Sequence, residues 1–246
     1  MSKISVVINT YNAEKFLDRV LDSVKDYDEI LICDMHSTDN TIKIAEKYGC
    51  KIVYHKKESY VEPARNFAIQ SAANDWVLLI DADEVVPQTL SREIKNLLQT
   101  KEFDALSIPR NNYFMDKQMR NVFPDYNIRF FRKDKVYWPE EIHSTPKIDG
   151  KIIQIKKKRS LALEHLSNDS VSDILKKMEK YVNAEVARRG AKKVSLFKFI
   201  FSPLLVFIKF YFIKAGILDG KKGYLYSMMK AHYKFYTLSK INEAKK

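Results

Sequence analysis

Short apolar runs alternate with amphipathic segments along the first half of the chain. Four runs rich in Val, Ile and Leu have the length and composition of strands that are buried on both faces. The segment after the first run places Phe16, Leu17, Val20, Leu21 and Val24 at helical spacing, which predicts an amphipathic helix with Asn12 as its N-cap. Strands that alternate with helices in this way predict a parallel sheet covered by helices. The four runs are residues 4–8, 29–34, 51–55 and 76–80.

Three of the predicted strands end in polar side chains. Thr-Tyr-Asn at 10–12 follows the first, Asp34 ends the second, and Asp-Ala-Asp-Glu at 81–84 follows the fourth. Open α/β sheets bind ligands at the carboxyl ends of their strands, so these groups converge on one edge. Two carboxylates this close repel unless a cation compensates, and oxygen ligands suit Mg²⁺ or Mn²⁺. The pattern predicts a metal site for a phosphorylated ligand. The alternative is a solvated acidic turn at the start of the next helix.

The last third of the chain has a different pattern. Residues 171–189 predict an amphipathic helix, and residues 194–214 are apolar except for polar breaks that include Lys198, Lys209 and Lys214. The longest uncharged run, 199–208, is shorter than the roughly 20 residues that a spanning helix needs. We therefore expect helices that lie in the headgroup plane of a membrane. The alternative is a helical hairpin packed on its own domain or on a second subunit.

Charge is distributed unevenly between the two parts. Residues 1–150 hold 21 Lys and Arg against 24 Asp and Glu, whereas residues 151–246 hold 22 against 7. The basic part predicts an anionic partner, for which a membrane surface is the best candidate. Basic residues interleaved with aromatic ones also occur in binders of single-stranded nucleic acid, but no nucleic-acid recognition motif accompanies them here.

Glycine and cysteine usage narrows the chemistry. The chain has six glycines and neither a Gly-x-Gly-x-x-Gly motif nor a Walker loop, so a bound diphosphate needs a metal and cations. Cys33 and Cys50 lie in apolar runs, and the first residues lack the apolar core of a signal peptide. These features predict a cytoplasmic chain with reduced thiols.

The order and spacing of these motifs resemble the inverting family 2 glycosyltransferases of GT-A fold. The matching segments are residues 5–12 (SVVINTYN), 34–41 (DMHSTDNT), 64–66 (ARN) and 81–84 (DADE). Residues 104–240 resemble the bacterial lipopolysaccharide-core branch, which is similar to β-1,4-glucosyltransferases. This second resemblance depends on residues 112–114 (NYF), 124–132 (PDYNIRFFR) and 216–220 (GILDG).

The resemblance implies a fold and a domain division. It implies an α/β protein with a Rossmann-like, mostly parallel sheet flanked by helices. The catalytic domain is expected over residues 1–168, with a donor-binding half at about 1–90 and an acceptor half at about 104–168. Residues 169–246 then form a helical, basic and apolar appendage that binds a membrane or a second subunit.

Donor-binding roles also follow from the resemblance. Thr10, Tyr11 and Asn12 are expected to line the base pocket of a sugar nucleotide, and Asp34 to accept a hydrogen bond from uracil. Arg65 is expected to face the diphosphate or the ribose.

The resemblance assigns the metal as well. Asp81 is expected near the ribose and sugar, and Asp83 is expected to hold Mn²⁺ or Mg²⁺. GT-A enzymes often complete the metal sphere with a late histidine, for which His165 at a predicted strand end is the first candidate and His143 the second.

An inverting transfer needs a carboxylate base for the acceptor hydroxyl. The Glu-Asp pair that usually supplies it is absent, and Asp125 stands at the matching place, with Glu140 and Glu141 as rivals. Arg129 and Arg132 follow at short range and are candidates to bind phosphate or acidic groups of the acceptor.

The sequence thus predicts a metal-dependent, inverting transferase that is peripheral on the inner face of the cytoplasmic membrane. It would move a hexose, with glucose expected, from UDP to a lipid-linked saccharide such as a lipopolysaccharide inner core. Alternatives are a polyprenyl-phosphate, capsule or protein acceptor, or a non-catalytic homologue that docks at membranes. Haloacid-dehalogenase-like phosphatases also use Asp-x-Asp, but after their first strand rather than the fourth.

Overall fold

A computed structural model describes residues 2–58, 60–141 and 144–244. The chain forms two compact units. The first comprises the residues up to Asn111 together with Pro124–Leu166, and the second comprises Asn112–Phe123 together with the residues from Ser167 onward. The functional division expected at residue 168 stays a prediction. The participation of residues 112–123 in the second unit was not anticipated.

Twelve strands and four α-helices precede residue 170 in the described part of the chain. The helices are α1 (Glu14–Val24), α2 (Thr41–Lys47), α3 (Glu62–Gln70) and α4 (Gln88–Thr100). The first six strands are β1 (Ile4–Thr10), β2 (Glu29–Asp34), β3 (Lys51–Tyr54), β4 (Trp76–Asp81), β5 (Glu84–Val85) and β6 (Ala105–Phe114). The others are β7 (Lys117–Gln118), β8 (Asp125–Arg132), β9 (Val136–Tyr137), β10 (Lys147–Ile148), β11 (Ile152–Gln154) and β12 (Leu163–Asp169).

The main sheet joins a parallel half to an antiparallel half. Its order is β3-β2-β1-β4-β8-β6-β12-β5, and β11 and β7 also pair with β6. The first four strands are parallel, with Ile8 opposite Ile32 on β2 and Ile80 on β4. The pairing of β8 with β4 and with β6 is antiparallel. This architecture confirms the predicted α/β class with a mostly parallel sheet in the first part of the chain.

Both faces of the parallel half are covered, as the apolar runs predicted. Ile4, Val6 and Ile8 point to one face of β1 and pack with buried residues of α1 and α4. Val7 points to the opposite face and packs with Ala68 and its neighbours on α3. Because successive side chains of a strand alternate between faces, a strand covered on both sides must be apolar almost throughout.

The second unit is mainly helical. It contains α5 (Val171–Arg189), α6 (Leu196–Ile208) and α7 (Gly220–Glu243), and the bounds of α5 are those predicted. A π-helical turn, Lys209–Ile213, continues α6, and a 3₁₀ turn, Gly216–Asp219, leads into α7. Both α5 and α6 pack on α7.

The 3₁₀ turn that carries the Gly-Ile-Leu-Asp-Gly motif is closely packed against the start of α7. A Cβ atom on Gly216 would lie 2.5 Å from the carbonyl oxygen of Phe210, and one on Gly223 would lie 1.9 Å from the Gly216 carbonyl. Asp219 is buried and accepts a 2.8 Å hydrogen bond from the Arg120 backbone N–H. The motif therefore holds segment 117–121 against the start of α7.

The apolar stretch in this unit is longer as a helix than its uncharged run suggested. Leu196–Ile213 is 18 residues long, has a mean hydropathy of 1.9 and is nowhere buried. By length and composition alone it could cross a membrane, because Lys198 and Lys209 do not interrupt the helix. The in-plane orientation expected from the sequence stays a prediction.

Candidate active site

The carboxyl ends of β1 and β2 are held together by one buried carboxylate. Asp34 has no exposed surface, and its Oδ1 accepts hydrogen bonds from Thr10 Oγ1 at 2.7 Å and Ser37 Oγ at 2.6 Å. Its Oδ2 accepts from the Ser37 backbone N–H at 2.7 Å. Thr10 and Asp34 thus lie together as predicted. Contact of Asp34 with uracil remains a prediction, and it requires the loop around Ser37 to move.

Asn12 joins the same two loops and does not cap α1. The residue that precedes α1 is Ala13, and no side chain caps the helix. Asn12 has a left-handed backbone with φ of 49°, which asparagine tolerates better than most residues. Its Oδ1 accepts a 2.8 Å hydrogen bond from the Thr38 N–H, and its own N–H donates to Ser37 Oγ at 2.9 Å. The side chain and backbone of Asn12 therefore hold the loops after β1 and β2 together.

Tyr11, next to Asn12, is exposed, with 40% of its surface accessible. The Lys57 ammonium lies 2.5 Å from its hydroxyl oxygen and 4.4 Å from its ring centroid. The pair combines an aromatic surface, which can stack on a base, with a cation that can meet a phosphate. No sequence motif pointed to Lys57.

Asp81, at the end of β4, lies between two buried guanidinium groups. Its Oδ1 accepts from Arg65 at 3.0 Å, and its Oδ2 accepts from Arg129. Burial alone would raise the pKa of Asp81, but the positive charges of Arg129 and Arg65 outweigh burial and hold the pKa well below its usual range. Asp81 is therefore ionised at neutral pH.

The ion pairs continue from Asp81 across the sheet. Glu84 has no exposed side-chain surface and accepts hydrogen bonds from Arg129 and Arg110, each at 2.9 Å. Arg110 also donates two hydrogen bonds to Oδ2 of Asp125, at 3.0 and 2.7 Å. Six residues thus form one continuous cluster, named here the charge network: Arg65, Asp81, Glu84, Arg110, Asp125 and Arg129.

Arginine protonation in the charge network follows from the same contacts. Burial would lower the pKa of Arg129, yet Asp81 and Glu84 raise it above its ordinary value. Burial lowers the pKa of Arg65. The charge of Asp81 raises this pKa, while the charge of Arg129 lowers it further, and the pKa stays below its ordinary value. Every guanidinium remains charged at neutral pH. Three positive and three negative groups then balance, so the network supplies no net charge to offset a diphosphate.

Asp83 and His165 form the candidate metal pair. His165 Nε2 lies 3.3 Å from Asp83 Oδ2, and the Leu166 N–H donates to the Asp83 carbonyl at 2.7 Å. His165 was expected at a strand end, but it lies inside β12, opposite Glu84 on β5. Within the described residues, no group of three or more His, Cys, Asp and Glu side chains could hold a metal. A metal here needs further ligands from the donor or from water.

Arg132 does not belong to this site. On β8 it lies opposite Trp76, at the beginning of β4, whereas Asp81 is at the end of β4. Its guanidinium pairs with the exposed Asp134 at 3.0 Å. Arg132 therefore lies away from the carboxylates that follow β4, and its binding to phosphate or acceptor stays a prediction. Its neighbour Arg129 does reach the site, because three residues along a strand correspond to about 10 Å.

The loop that carries Glu140 and Glu141 is fastened to α3. Asn66 exchanges two hydrogen bonds with the Trp138 backbone, at 2.7 and 2.9 Å, and the Arg65 guanidinium lies 4.3 Å from the Trp138 ring centroid. Glu140 and Glu141 line a cavity of about 710 Å³, together with Tyr60, Tyr137, Pro139, Ser144, Thr145 and Lys147. The second histidine candidate, His143, lies outside the described residues.

Besides Lys57, three contributors to the site were not assigned from the sequence. Glu84 belongs to the Asp-Ala-Asp-Glu motif, and its complete burial could have been suspected from the adjacent β4 run. Arg110 and Trp138 carry no local signal, since their partners are 15 to 73 residues away in the sequence.

The fold and the site together define a class. A parallel half and an antiparallel half of the sheet meet where paired carboxylates follow a buried strand, which is the arrangement of a GT-A glycosyltransferase. Residues 5–147 match the family model described as Glycosyl transferase family 2. The chain belongs to that family, and the protein is a glycosyltransferase.

Two curated relatives extend over nearly the whole chain. An uncharacterized glycosyltransferase of Rickettsia conorii is 31% identical over 98% of this chain and 90% of its own length. The lipopolysaccharide core biosynthesis glycosyltransferase LpsC of Rhizobium meliloti is 25% identical over 97% of this chain and 91% of its own length.

Solved structures confirm the GT-A fold. The mannosyltransferase PcManGT from Pyrobaculum calidifontis, solved with GDP-Man and Mn²⁺, superposes with a TM-score of 0.57 at 15% identity, covering 98% of this chain and 87% of its own. Residues 1–349 of S. aureus TarS, solved with UDP, give a TM-score of 0.51 at 18% identity, covering 98% and 90%. At these identities the likeness concerns the fold alone.

Proposed function

We propose that this glycosyltransferase moves a hexose from a UDP-sugar to a lipid-linked saccharide in a divalent-metal-dependent, inverting reaction. The observation that carries the proposal is the Asp83–His165 pair, whose ligating atoms lie 3.3 Å apart beside a charge network of zero net charge. A diphosphate brought to this edge meets no surplus positive charge from the network. A cation held by Asp83 is the simplest means of stabilising it there.

The donor set of the pair fits Mn²⁺ or Mg²⁺. Adjacent ligands of an octahedral ion at about 2.1 Å are about 3 Å apart, close to the separation of Asp83 Oδ2 and His165 Nε2. Such ions are commonly held by one or two protein side chains, with substrate phosphates and water completing the sphere. When bound, the metal stabilises the charge that develops on the departing diphosphate.

Arg65 is proposed to bind the donor next to the metal. Its side chain is 7% exposed, and its Nε and Nη1 atoms have no hydrogen-bond partner among the described residues. Buried guanidinium nitrogens nearly always have acceptors, so these two donors suit oxygen atoms of a ligand. Stacking on Trp138 and pairing with Asp81 fix the guanidinium before the donor arrives.

The nucleobase is proposed to bind at the loops after β1 and β2. Tyr11 offers the exposed aromatic surface there, while Thr10 and Asn12 hold the surrounding backbone through Asp34 and Thr38. Asp34 would accept from the uracil imide if the Ser37 loop moves. UDP is preferred to GDP because the lipopolysaccharide-core branch, which the chain resembles, uses UDP-sugars.

Asp125 is proposed as the base. It takes the proton from the acceptor hydroxyl while the acceptor oxygen bonds to the anomeric carbon and the bond from that carbon to the diphosphate breaks, which releases UDP. A single displacement of this kind inverts the anomeric centre. Asp125 is connected to Glu84, next to Asp83, through Arg110, which supports its assignment over Glu140 and Glu141. The two glutamates remain the alternatives.

The acceptor is proposed to be a lipid-linked saccharide of the lipopolysaccharide inner-core type, with glucose as the hexose. Support comes from the name of the LpsC relative, at 25% identity over almost the full length. The proposed location is the inner face of the cytoplasmic membrane, where nucleotide sugars and lipid-linked intermediates meet. A polyprenyl phosphate, a capsule unit or a protein is the alternative acceptor.

Calorimetric titration with UDP and several UDP-sugars tests the donor half. We expect binding with Mn²⁺ or Mg²⁺, its loss with chelator, and its loss in Asp83→Ala. The control is Asp134→Ala, which removes an exposed carboxylate that pairs with Arg132 away from the candidate site and should bind as the native protein does. Failure of folded protein to bind any uridine nucleotide with metal would exclude the UDP-dependent reaction.

A further inference from the structure

One face of α6 is apolar and exposed along its whole length. Phe197, Ile200, Phe201, Leu204 and Leu205 are between 41% and 69% accessible, and they follow the three- and four-residue spacing of a single helix face. None of the thirteen residues of α6 is buried. Contiguous apolar surface of this kind usually marks an interaction site.

The opposite face of α6 is covered by α7. The Phe199 ring meets the Phe235 ring of α7 at 6.1 Å between centroids. Ser202, Pro203 and Val206 are half-buried on this side of α6. The helix therefore has one packed face and one unpartnered face, as in-plane membrane helices have.

Positive charge borders the unpartnered face. Lys198 and Lys209 are both exposed and are eleven residues apart, which at 3.6 residues per turn places them on the same flank of the helix. Residues 190–246 contain twelve lysines and only two acidic residues, of which Asp219 is buried. The partner of this surface should therefore be apolar in its interior and anionic at its border.

The second unit also contains a cavity of about 520 Å³ with aromatic side chains in its wall. Tyr211, Tyr224, Leu225, Gly220 and Lys221 line it. The Tyr211 and Tyr224 rings pack edge to face at 5.8 Å. An apolar wall with one lysine suits a lipid acyl chain whose head group is anionic.

We infer that the α6 face, defined as Phe197, Ile200, Phe201, Leu204 and Leu205, inserts into one leaflet of an anionic bilayer with the helix axis in the membrane plane. Lys198 and Lys209 then lie at the level of the lipid phosphates. The partner is the lipid surface itself. Through this surface the proposed enzyme would reach lipid-linked acceptors. Binding of the α6 face to the bilayer does not depend on the transfer reaction.

Two other arrangements are disfavoured by the same contacts. If α6 crossed the bilayer, its packing partner α7 would bring Lys230, Lys234 and Lys240 into the hydrocarbon, at a high energetic cost. If the face paired with a second copy, two-fold symmetry would bring the lysine-rich borders of both copies together, which is repulsive.

Vesicle flotation of the full-length protein tests the inference. We expect the protein to bind phosphatidylcholine vesicles that contain phosphatidylglycerol and to bind vesicles of phosphatidylcholine alone more weakly. Added salt should remove the difference in affinity between the two vesicle types, because it screens the attraction to anionic lipid. Phe201→Trp places a fluorophore on the α6 face. Lipids that carry bromine at a shallow position of the acyl chain should quench the fluorescence of this tryptophan. Equal binding to both vesicle types, or none by folded protein, would overturn the inference.

Matched substitutions separate the two contributions. Leu204→Gln with Leu205→Gln should weaken vesicle affinity at least tenfold, because two apolar side chains no longer insert. Lys198→Gln with Lys209→Gln should weaken binding to anionic vesicles about 30-fold, at roughly fivefold per lysine. The control for charge is Lys25→Gln with Lys47→Gln, two exposed lysines of the first unit, which should bind normally.

The remaining outcomes point elsewhere. A dimer in solution that becomes a monomer in Leu204→Gln with Leu205→Gln would overturn the inference in favour of a second copy. Resistance to alkaline extraction from membranes would overturn it in favour of a spanning helix. Calorimetry with UDP and Mn²⁺ on the same samples keeps the proposed function separate, since donor binding should be the same in every variant named here.

Discussion

The two units depart from the usual distribution of residues in opposite directions. In the first unit, charged side chains are buried: Glu84 has no exposed side-chain surface and Arg129 only 5%. In the second unit, apolar side chains are exposed, and Leu205 has 62% of its surface accessible. Neither feature is the most stabilising choice for a fold. Each unit therefore gives up stability where a ligand is expected, an anion in the first unit and a lipid in the second.

The largest effect on activity should come from a substitution of Asp125, the proposed base. Asp125→Asn should lower kcat by about 10²–10⁴ with unchanged UDP affinity, because only the proton acceptor is lost. Arg110 retains its contact with Glu84, so the fold should persist. Steady-state kinetics with UDP release as the readout measures the change.

Glu140→Gln and Glu141→Gln are the matched variants, since each removes a carboxylate that lies outside the charge network. Both should retain activity within a few-fold. Loss of activity in either one, with activity retained in Asp125→Asn, would move the base to the loop after Trp138.

The next effect concerns the stability of the buried charges. Arg129→Met removes one of the two guanidinium partners of Asp81 and one of the two of Glu84. Because this leaves buried carboxylates with less compensating charge, it should lower the free energy of unfolding by about 3–5 kcal/mol. Arg132→Met, three residues along the same strand, removes only the exposed pair with Asp134 and should cost less than about 1 kcal/mol. Urea unfolding of both variants measures the contrast, and equal losses would contradict it.

A third effect should appear in the pH dependence of stability. The pKa of Asp81 is lower in the folded protein than in the unfolded chain, so its ionised form stabilises the fold above the ordinary aspartate pKa. As pH falls below about 4, the unfolded chain takes up a proton that folded Asp81 refuses, and stability decreases. Urea midpoints between about pH 5 and pH 3 should fall less steeply in Asp81→Asn than in the native protein. Identical slopes would contradict the assignment.

The smallest effect on stability should come from the exposed face of α6. Leu205→Gln should change the free energy of unfolding by no more than about 0.5 kcal/mol, because the side chain gains little from folding. Leu79→Gln, the same substitution at a fully buried position of β4, should cost about 3 kcal/mol or more. Thermal unfolding of the pair measures the difference. A comparable loss in Leu205→Gln would show that α6 is covered by something in solution.

Much of the fold could be predicted from periodicity. The β1 to β4 runs are apolar throughout because both faces of the parallel half are covered, and this pattern is local in the sequence. The inclusion of residues 112–123 in the second unit could not be predicted in this way, since it depends on the backbone contact of Arg120 with Asp219, 99 residues away.

The site was predictable only where its residues follow a strand. Thr10, Asp34 and Asp81 were recognised because each ends a buried run, and strand ends share an edge. Arg129 and Arg132 were given the same role because both follow Asp125 at short range. Only the register of β8 against β4 separates them. Asn12 was read as a helix cap, whereas its hydrogen bonds go to a loop 25 residues further on.

The packing of Trp138 against Arg65 has an optical consequence. The chain contains two tryptophans, and Trp76 stacks on Phe130 inside the sheet, 5.0 Å between ring centroids. Trp138 instead lies 4.3 Å from a guanidinium that is expected to meet the donor. A ligand that draws this charge away from the indole changes the electric field at the ring. The protein thus carries its own fluorophore for donor occupancy, positioned by the Asn66 hydrogen bonds and needing no label.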